Sequence, residues 1–124
     1  MLERHGERLV AWAPNAREAL RLFPEAARAV CGRALFKAQL GKMGETARPM
    51  TGGLRGVVEV AADHAGNTYR VYYTLKCRGW VHVLYPHRKK SPRGIGLPRP
   101  ERDLIARRLR EVIVQCREAE GGGR

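Results

Sequence analysis

Eleven basic side chains stand against two acidic ones between Lys76 and Arg110, so this stretch supplies +9 of the chain's net charge of +12. The basic residues are Lys76, Arg78, Arg88, Lys89, Lys90, Arg93, Arg99, Arg102, Arg107, Arg108 and Arg110. Clustered Lys and Arg side chains bind phosphates and gain affinity by releasing counterions. The charge pattern therefore predicts a nucleic-acid partner. A solvated basic surface that keeps the domain in solution is the alternative explanation.

Alternation along residues 69–76 predicts which strand face would meet such a partner. Side chains two residues apart share a face, which groups Tyr69, Val71, Tyr73 and Leu75 as a core-facing set. The other set contains Arg70, Tyr72, Thr74 and Lys76. This second face is basic and aromatic, as expected of an open surface that binds RNA through phosphate contacts and base stacking. An ordinary exposed sheet face has the same composition.

The cysteines and histidines favour neither a disulfide framework nor a metal site. Cys31, Cys77 and Cys116 are an odd, widely spaced set without a Cys-x-x-Cys pair, and we expect all three to be small buried hydrophobic residues. His82 and His87 lie five residues apart in a predicted strand, which places them on opposite faces. The sequence thus predicts chemistry without a metal or other cofactor.

The elements that must position these residues follow from periodicity and turn signals. The sequence predicts a strand at 8–12, helices at 16–22 and 24–40, an irregular connection at 41–53, strands at 56–62, 69–75 and 80–85, and a helix from Pro100. This order predicts one α+β domain over residues 1–124, with helices packed on one side of a mostly antiparallel sheet. We expect the first strand at a sheet edge and a flexible tail over 119–124.

Composition and hydropathy limit where the protein works. With 44% apolar and 29% charged residues, the chain is too apolar for a typical disordered tail. No uncharged run approaches the roughly 18 to 20 apolar residues of a membrane span, and the mixed-charge N-terminus lacks the apolar core of a secretory signal. We therefore expect a folded cytoplasmic protein without membrane association.

Six short strings in a fixed order identify a resemblance. They are LFPE at 22–25, AQLG at 38–41, ARPMTG at 47–52, GNTYRVYYT at 66–74, VHVLY at 81–85 and KKSPRGI at 89–95. A Pro-led, Arg-rich helix follows the last string. Together they resemble the phage-derived, HigB-like branch of the RelE/ParE toxin superfamily, over roughly residues 8 to 117.

The resemblance implies a compact RelE-like α+β domain that acts as the toxin of a type II toxin–antitoxin pair. Such toxins are metal-independent endoribonucleases that cleave mRNA, commonly in the ribosomal A site. A cognate antitoxin silences them, here a HigA-like protein with a helix-turn-helix domain. A +12 protein should be neutralised by an acidic or amphipathic antitoxin segment that covers its basic groove.

The resemblance also implies site residues. Arg70 and Lys90 match the family's residues that stabilise charge on the phosphate, and Lys89 matches a substrate-positioning lysine. His87 and Tyr85 are the nearby side chains able to transfer a proton, since histidine changes charge near neutral pH. The predicted RNA contacts are Lys89, Arg88, Lys76, Tyr72 and Arg93.

This chain departs from the family pattern at the proton-transfer residue and at the first hairpin strand. The branch commonly reads His-Ala-Phe-x-Lys-Lys-Ser, where this chain has Tyr85-Pro86-His87-Arg88-Lys89-Lys90-Ser91, which leaves the general acid and base open between Tyr85 and His87. Glu59 is either a base or, as cross-strand pairing favours, a structural partner of Arg70 or Lys76.

Two further functions are compatible with the same residues. One is a basic RNA-binding protein of this fold that does not cleave its ligand. The other is a ParE-like inhibitor of DNA gyrase. We expect loss of toxicity with intact RNA binding in an Arg70→Ala, Lys90→Ala variant if the chain is a nuclease.

Overall fold

The computed structural model describes residues 7–89 and 96–122. Its strands are β1 (Leu9–Trp12), β2 (Ala47–Pro49), β3 (Val57–His64), β4 (Asn67–Thr74) and β5 (Trp80–Lys89). Its α-helices are α1 (Ala16–Arg21), α2 (Glu25–Gln39) and α3 (Arg99–Gly122), and a short 3₁₀ turn spans Gly52–Leu54. The predicted elements are confirmed, and β2 is an addition within the stretch expected to be irregular. Helix α3 extends to Gly122, into the stretch that was predicted to form a flexible tail.

The five strands form one mixed sheet in the order β1-β5-β4-β3-β2. Strand β1 runs parallel to β5 at one edge, and every other pair is antiparallel. The predicted meander, the edge position of the first strand and the α+β class are confirmed. None of the described helices is long and apolar enough to cross a membrane.

Helices cover both faces of the sheet, which corrects the expectation of a one-sided sandwich. On the face that we call the α2 face, Val60, Val71 and Val83 pack with the buried side of α1 and α2. On the opposite face, the α3 face, Tyr72 and Leu84 pack with Ile105 of α3. The reason is that the apolar stripe of α3 needs its own apolar surface. Tyr72 and Thr74 are consequently fully buried, so the face predicted to be open is partly covered.

A tight hairpin turn sets the register of β3 and β4. Ala65 and Gly66 connect the strands and both have positive φ, 52° and 81°, as a two-residue type I′ turn requires. With this turn, Glu59 lies opposite Tyr72 and Ala61 lies opposite Arg70. The turn therefore determines which side chains of the two strands become neighbours on the α3 face.

A β-bulge in β5 changes the side to which its second half points. Tyr73 pairs with Val83, whereas Tyr72 pairs with Tyr85, so Leu84 is the extra residue. His82 lies opposite Thr74 and His87 lies opposite Arg70, and these two partners share a face of β4. The prediction that His82 and His87 point to opposite faces is therefore wrong, because strict alternation ignores the bulge.

His82 gives the fold a pH dependence that can be measured. It lines a cavity of about 190 Å³ together with Trp12, Arg108 and Glu111, and burial lowers its pKa. In the unfolded chain histidine titrates near pH 6.5. Below about that pH the unfolded state binds the proton more readily than the folded state, so stability falls as the pH falls.

We therefore expect the urea midpoint of the wild-type protein to decrease more between pH 7.5 and 5.5 than that of His82→Gln. Equal decreases in the two proteins would contradict this assignment. The comparison is between the changes in urea midpoint with pH, so a loss of stability in His82→Gln that is the same at both pH values does not affect it.

The cysteines divide differently from the prediction. Cys31 is fully buried, as predicted, and burial raises the pKa of its thiol to about 12. Cys77 and Cys116 instead form a disulfide, with their Cα atoms 5.7 Å apart. The expectation that both are unpaired hydrophobic residues is wrong, because their proximity arises from packing α3 against the β4–β5 turn and not from sequence spacing.

Candidate active site

Two rows of side chains cross the α3 face of the sheet. The first row contains Arg48, Glu59, Tyr72 and Tyr85, each directly opposite the next on the neighbouring strand. The second row contains Ala61, Arg70 and His87, which are paired in the same way. Because the bulge reverses the alternation of β5, Tyr85 and His87 share this face with Arg70. Cationic, acidic and proton-transfer groups are thus brought together on one surface.

Glu59 is the buried centre of this surface. Its residue is 4% exposed, and its carboxylate accepts hydrogen bonds from Arg48 Nε at 3.1 Å and the Tyr72 hydroxyl at 2.9 Å. The same oxygen that binds Tyr72 lies 3.7 Å from Arg70 Nη1. The predicted structural pairing of Glu59 with Arg70 is present, whereas the Lys76 side chain lies over Gly56. With both oxygens engaged, Glu59 is positioned to orient Arg70.

Tyr72 holds one side of the Glu59 carboxylate. Burial and the negative charge of Glu59 raise the pKa of Tyr72, so its phenol keeps the proton that it donates. The ring is fully buried, which corrects the prediction that Tyr72 contacts RNA: no face of it is available for base stacking. Its role is to hold the Glu59 carboxylate in place.

This support predicts a stability effect. Replacing Tyr72 by Phe removes a hydrogen bond to a buried carboxylate while preserving the ring, so we expect the free energy of unfolding to fall by about 1.5–3 kcal/mol. Urea denaturation measures the change. Tyr85→Phe is the matched control, because the hydroxyl of the half-buried Tyr85 lies against His87 and not against a buried carboxylate. A similar loss in both variants would contradict the role of Tyr72.

Arg70 is far more enclosed than Arg48, its neighbour on the Glu59 carboxylate. Its side chain is 16% exposed, and its Nε is buried without a hydrogen-bond partner in the part of the chain that the structure describes. A guanidinium has five N–H donors, and Glu59 cannot occupy them all. Arg70 is therefore a cation fixed by Glu59 that keeps unoccupied N–H donors, as binding of a phosphate group requires.

Tyr85 and His87 form a stacked pair beside Arg70. Their ring centroids are 5.5 Å apart, and the Tyr85 hydroxyl lies 3.4 Å from His87 Nδ1. Burial and the charge of Glu101 raise the pKa of Tyr85, against a smaller opposing effect of Arg108. The phenol is thus neutral at physiological pH and can hydrogen-bond to Nδ1 of the imidazole, which fixes the orientation of the ring.

Arg108 fastens the bulge that orients this pair. Its Nη1 donates to the carbonyl of Leu84, the bulged residue, at 2.6 Å. Its Cζ also lies over the Tyr85 ring, 6.0 Å from the centroid. Helix α3 therefore stabilises the irregularity of β5 on which the position of His87 depends.

The other predicted site residues separate into three groups. Arg88 lies opposite Tyr69, whose ring faces α2, so the predicted RNA contact Arg88 lies on the face of the sheet opposite to Arg70. Lys76 follows the end of β4, roughly 20 Å along the strand direction from Arg70. The backbone of Lys89 pairs with Thr68. Lys90 and Arg93, with the side chain of Lys89, lie outside the described residues.

The structure adds two cations that the sequence analysis did not select as site residues. Arg48, from edge strand β2, and Arg102, from the first turns of α3, line a cleft of about 320 Å³ together with Arg70. Glu59, Met50, Gly96 and Leu97 complete its walls. A second depression of about 390 Å³ shares Arg48, Glu59 and Arg70 and continues along the sheet. Arg48 lies in the ARPMTG string, which was the available signal, but its strand was not predicted.

No group of three or more His, Cys, Asp or Glu side chains that could hold a metal ion occurs within residues 7–89 and 96–122.

Comparison with known proteins places the chain in a family. Among solved structures it is similar to a chain of the toxin–antitoxin complex RelBE2 from Mycobacterium tuberculosis, with 18% identity and a TM-score of 0.47 over 73% of this chain and 100% of that one. A comparison with curated proteins found no match. The model of the "Phage derived protein Gp49-like (DUF891)" family matches residues 18–110, well over half of the 124 residues. The chain therefore belongs to the Gp49-like family of phage-derived proteins.

Proposed function

We propose that this protein is the toxin of a type II toxin–antitoxin pair, in the HigB-like branch of the RelE/ParE superfamily, and that it cleaves mRNA. The ordered sequence strings and the phage-derived family support the assignment. The observation that carries it is the direct cross-strand pairing of Arg70 and His87 on one face of the sheet. A phosphate-binding cation and a proton-transfer group are thereby placed side by side.

The proposed reaction is an internal transesterification of RNA. The ribose 2′-oxygen attacks the adjacent phosphorus, the P–O5′ bond breaks, and a 2′,3′-cyclic phosphate and a 5′-hydroxyl form. The 2′-hydroxyl proton passes to a base and O5′ takes up a proton from water. Negative charge grows on the phosphoryl oxygens during the attack, so cations fixed beside them lower the barrier.

Arg70 supplies this charge stabilisation. Its guanidinium is held by Glu59 at 3.7 Å within a mostly buried setting, where its interaction with a phosphoryl oxygen is stronger than in water. Little reorganisation is required because the side chain is already enclosed. In the proposal Lys90 adds a second positive charge and Lys89 positions the strand.

His87 acts as the base in this scheme. When Nδ1 donates to the Tyr85 oxygen, Nε2 has the lone pair that accepts the 2′-hydroxyl proton. Tyr85 keeps His87 in orientation and is itself held beneath Arg108. The protonated imidazole then returns its proton to water. The proposal thereby gives Tyr85 and His87 distinct tasks.

The proposal also assigns a setting and an inhibitor. The protein acts in the cytoplasm on mRNA at the ribosome. A HigA-like antitoxin with a helix-turn-helix domain would neutralise it by laying an acidic or amphipathic segment over the Arg48, Arg70 and Arg102 cleft, because a +12 chain attracts negative charge strongly.

The decisive experiment adds purified protein to a translating extract with a defined mRNA. We expect cleavage at discrete sites mapped by primer extension, with products that end in a 2′,3′-cyclic phosphate. Substituting 2′-deoxyribose at a mapped site should abolish cleavage there and leave other sites unchanged. If the mRNA stays intact, the nuclease assignment is wrong, whether or not translation stops. Inhibition of DNA supercoiling in a parallel gyrase assay would favour the ParE-like alternative.

A further inference from the structure

The cleft between the β2 side of the sheet and the start of α3 contains two arginines, Arg48 and Arg102, that have no role in the proposed cleavage step. Arg48, Arg70 and Arg102 approach it from three different elements, and Glu59 is the one acidic residue among its lining residues in 7–89 and 96–122. The Glu59 side chain is 5% exposed and is engaged by Arg48 and Tyr72. The part of the cleft open to solvent is therefore cationic.

The guanidinium groups of this cleft have unused donors. Arg48 binds Glu59 through Nε alone, and its side chain is 75% exposed, so its terminal nitrogens face outward. Arg102 has no ion pair or side-chain hydrogen bond with any residue in 7–89 or 96–122. Arg70 Nε is buried without a partner in the same ranges. The donors of Arg48 and Arg102, which come from separate elements and line one cleft, are available to bind an anion there.

The cleft lies on the opposite side of Arg70 from His87. Strand order places β5 with His87 first, then β4 with Arg70, then β3, then β2 with Arg48. At a spacing of about 4.8 Å between strands, Arg48 lies roughly 10 Å from β4. Arg48 and Arg70 share the Glu59 carboxylate, but Arg48 lies three strands from His87, roughly 14 Å between backbones, so a phosphate bound beside His87 leaves the outward donors of Arg48 for a neighbouring phosphate.

Apolar side chains border the same cleft. Leu97 is buried and Met50 is half-buried, and both line its wall beside the arginines. A wall of this kind suits a ribose or a base edge next to a bound phosphate. A free inorganic anion would make no use of it.

We propose that this cleft is a subsite for the phosphodiester next to the cleaved one, with Arg48 and Arg102 as its phosphate-binding residues. The inference rests on the proposed function and deepens it, because it identifies the ligand as a longer stretch of one RNA strand. Affinity then increases in a step when the ligand is long enough to place a phosphate in the cleft. Arg48 and Arg102 contribute to binding and leave the chemical step to Arg70 and His87.

The test measures binding without cleavage. Fluorescently labelled 2′-O-methyl oligoribonucleotides of two, three, four and five nucleotides cannot undergo the transesterification, and their Kd is measured by anisotropy over a range of salt. The variants are Arg48→Gln/Arg102→Gln and Arg102→Gln alone, which disturbs no ion pair. The matched control is Arg28→Gln/Arg33→Gln, which removes two exposed charges from α2 on the other face.

We expect wild-type affinity to rise at least tenfold at one added nucleotide, and the double variant to lose that step. The slope of log K against log salt should fall by about 0.7, the value for one phosphate contact in a single strand. The single variant should lose part of the step, and the control should keep all of it. On cleavable mRNA Arg102→Gln, which leaves the Arg48–Glu59–Arg70 contacts in place, should raise KM more than it lowers kcat.

An unchanged step in both Arg102 variants, or an equal loss in the α2 control, overturns the subsite. If the wild-type protein cleaves mRNA and the step is absent, the subsite fails and the nuclease assignment stands. If the protein neither cleaves mRNA nor binds any oligonucleotide, both proposals fail together.

Discussion

We expect replacement of Arg70 by alanine to lower the rate of the proposed mRNA cleavage by about a hundred- to a thousandfold, the usual cost of removing one fixed donor from a developing oxyanion. The enclosed guanidinium, 16% exposed and 3.7 Å from Glu59, has no nearby substitute among the described residues of β4. Arg70→Lys should recover only part of the rate, because an ammonium group keeps the charge and loses the planar fork of donors. Initial rates on a defined mRNA in the translating extract measure both variants.

Arg88→Ala is the matched control for this prediction. Arg88 has the same charge and lies in the neighbouring strand, but its register with Tyr69 places it on the α2 face. We expect its rate to stay within a few fold of wild type. A large loss in Arg88→Ala, or a wild-type rate in Arg70→Ala with an unchanged thermal midpoint, would place the reacting surface elsewhere.

Removing the link between Cys77 and Cys116 will lower the free energy of unfolding by about 4 kcal/mol. The disulfide joins residues 39 apart, and a loop of this length restricts the unfolded chain by roughly that amount in the chain-entropy model. It ties the turn after β4 to the C-terminal half of α3. Urea unfolding of the oxidised protein and of Cys77→Ser/Cys116→Ser measures the difference.

Two controls isolate the disulfide. Reductant should shift the wild-type curve toward that of the double variant and leave the double variant unmoved, whereas Cys31→Ala should retain the response to reductant. The oxidised chain should also offer one reactive thiol after denaturation, that of Cys31. Three reactive thiols in protein purified without reductant, or overlapping curves with and without reductant, would contradict the pairing.

Local patterns were sufficient for the elements and for one side of the site. The stiff, alternating residues of β3 and β4 and the short turn between them predicted a hairpin, and the hairpin register alone places Glu59 near Arg70. The apolar stripe of α3 likewise predicted a helix that must be covered. These features are determined by residues that are close to one another in the chain, so the local sequence is enough to predict them.

Features that depend on contacts distant in sequence were missed. The bulge at Leu84 is stabilised by Arg108, 24 residues away, and no local signal marks it. Cys77 and Cys116 meet only because α3 packs on the second face of the sheet. Strand β2 is three residues long and acquires its conformation by pairing with β3, so Arg48 could not be assigned to the site beforehand.

The extra residue in β5 determines whether Tyr85 and His87 lie on the same face of the sheet as Arg70. If every residue of β5 paired one to one, Leu84 would lie opposite Tyr72, and His87 would lie opposite Tyr69 on the α2 face. The imidazole would then leave the face of Arg70 although no residue is altered. Deleting Leu84 would instead remove the bulge and keep His87 opposite Arg70, whereas inserting one residue between Tyr85 and His87 would turn His87 to the α2 face.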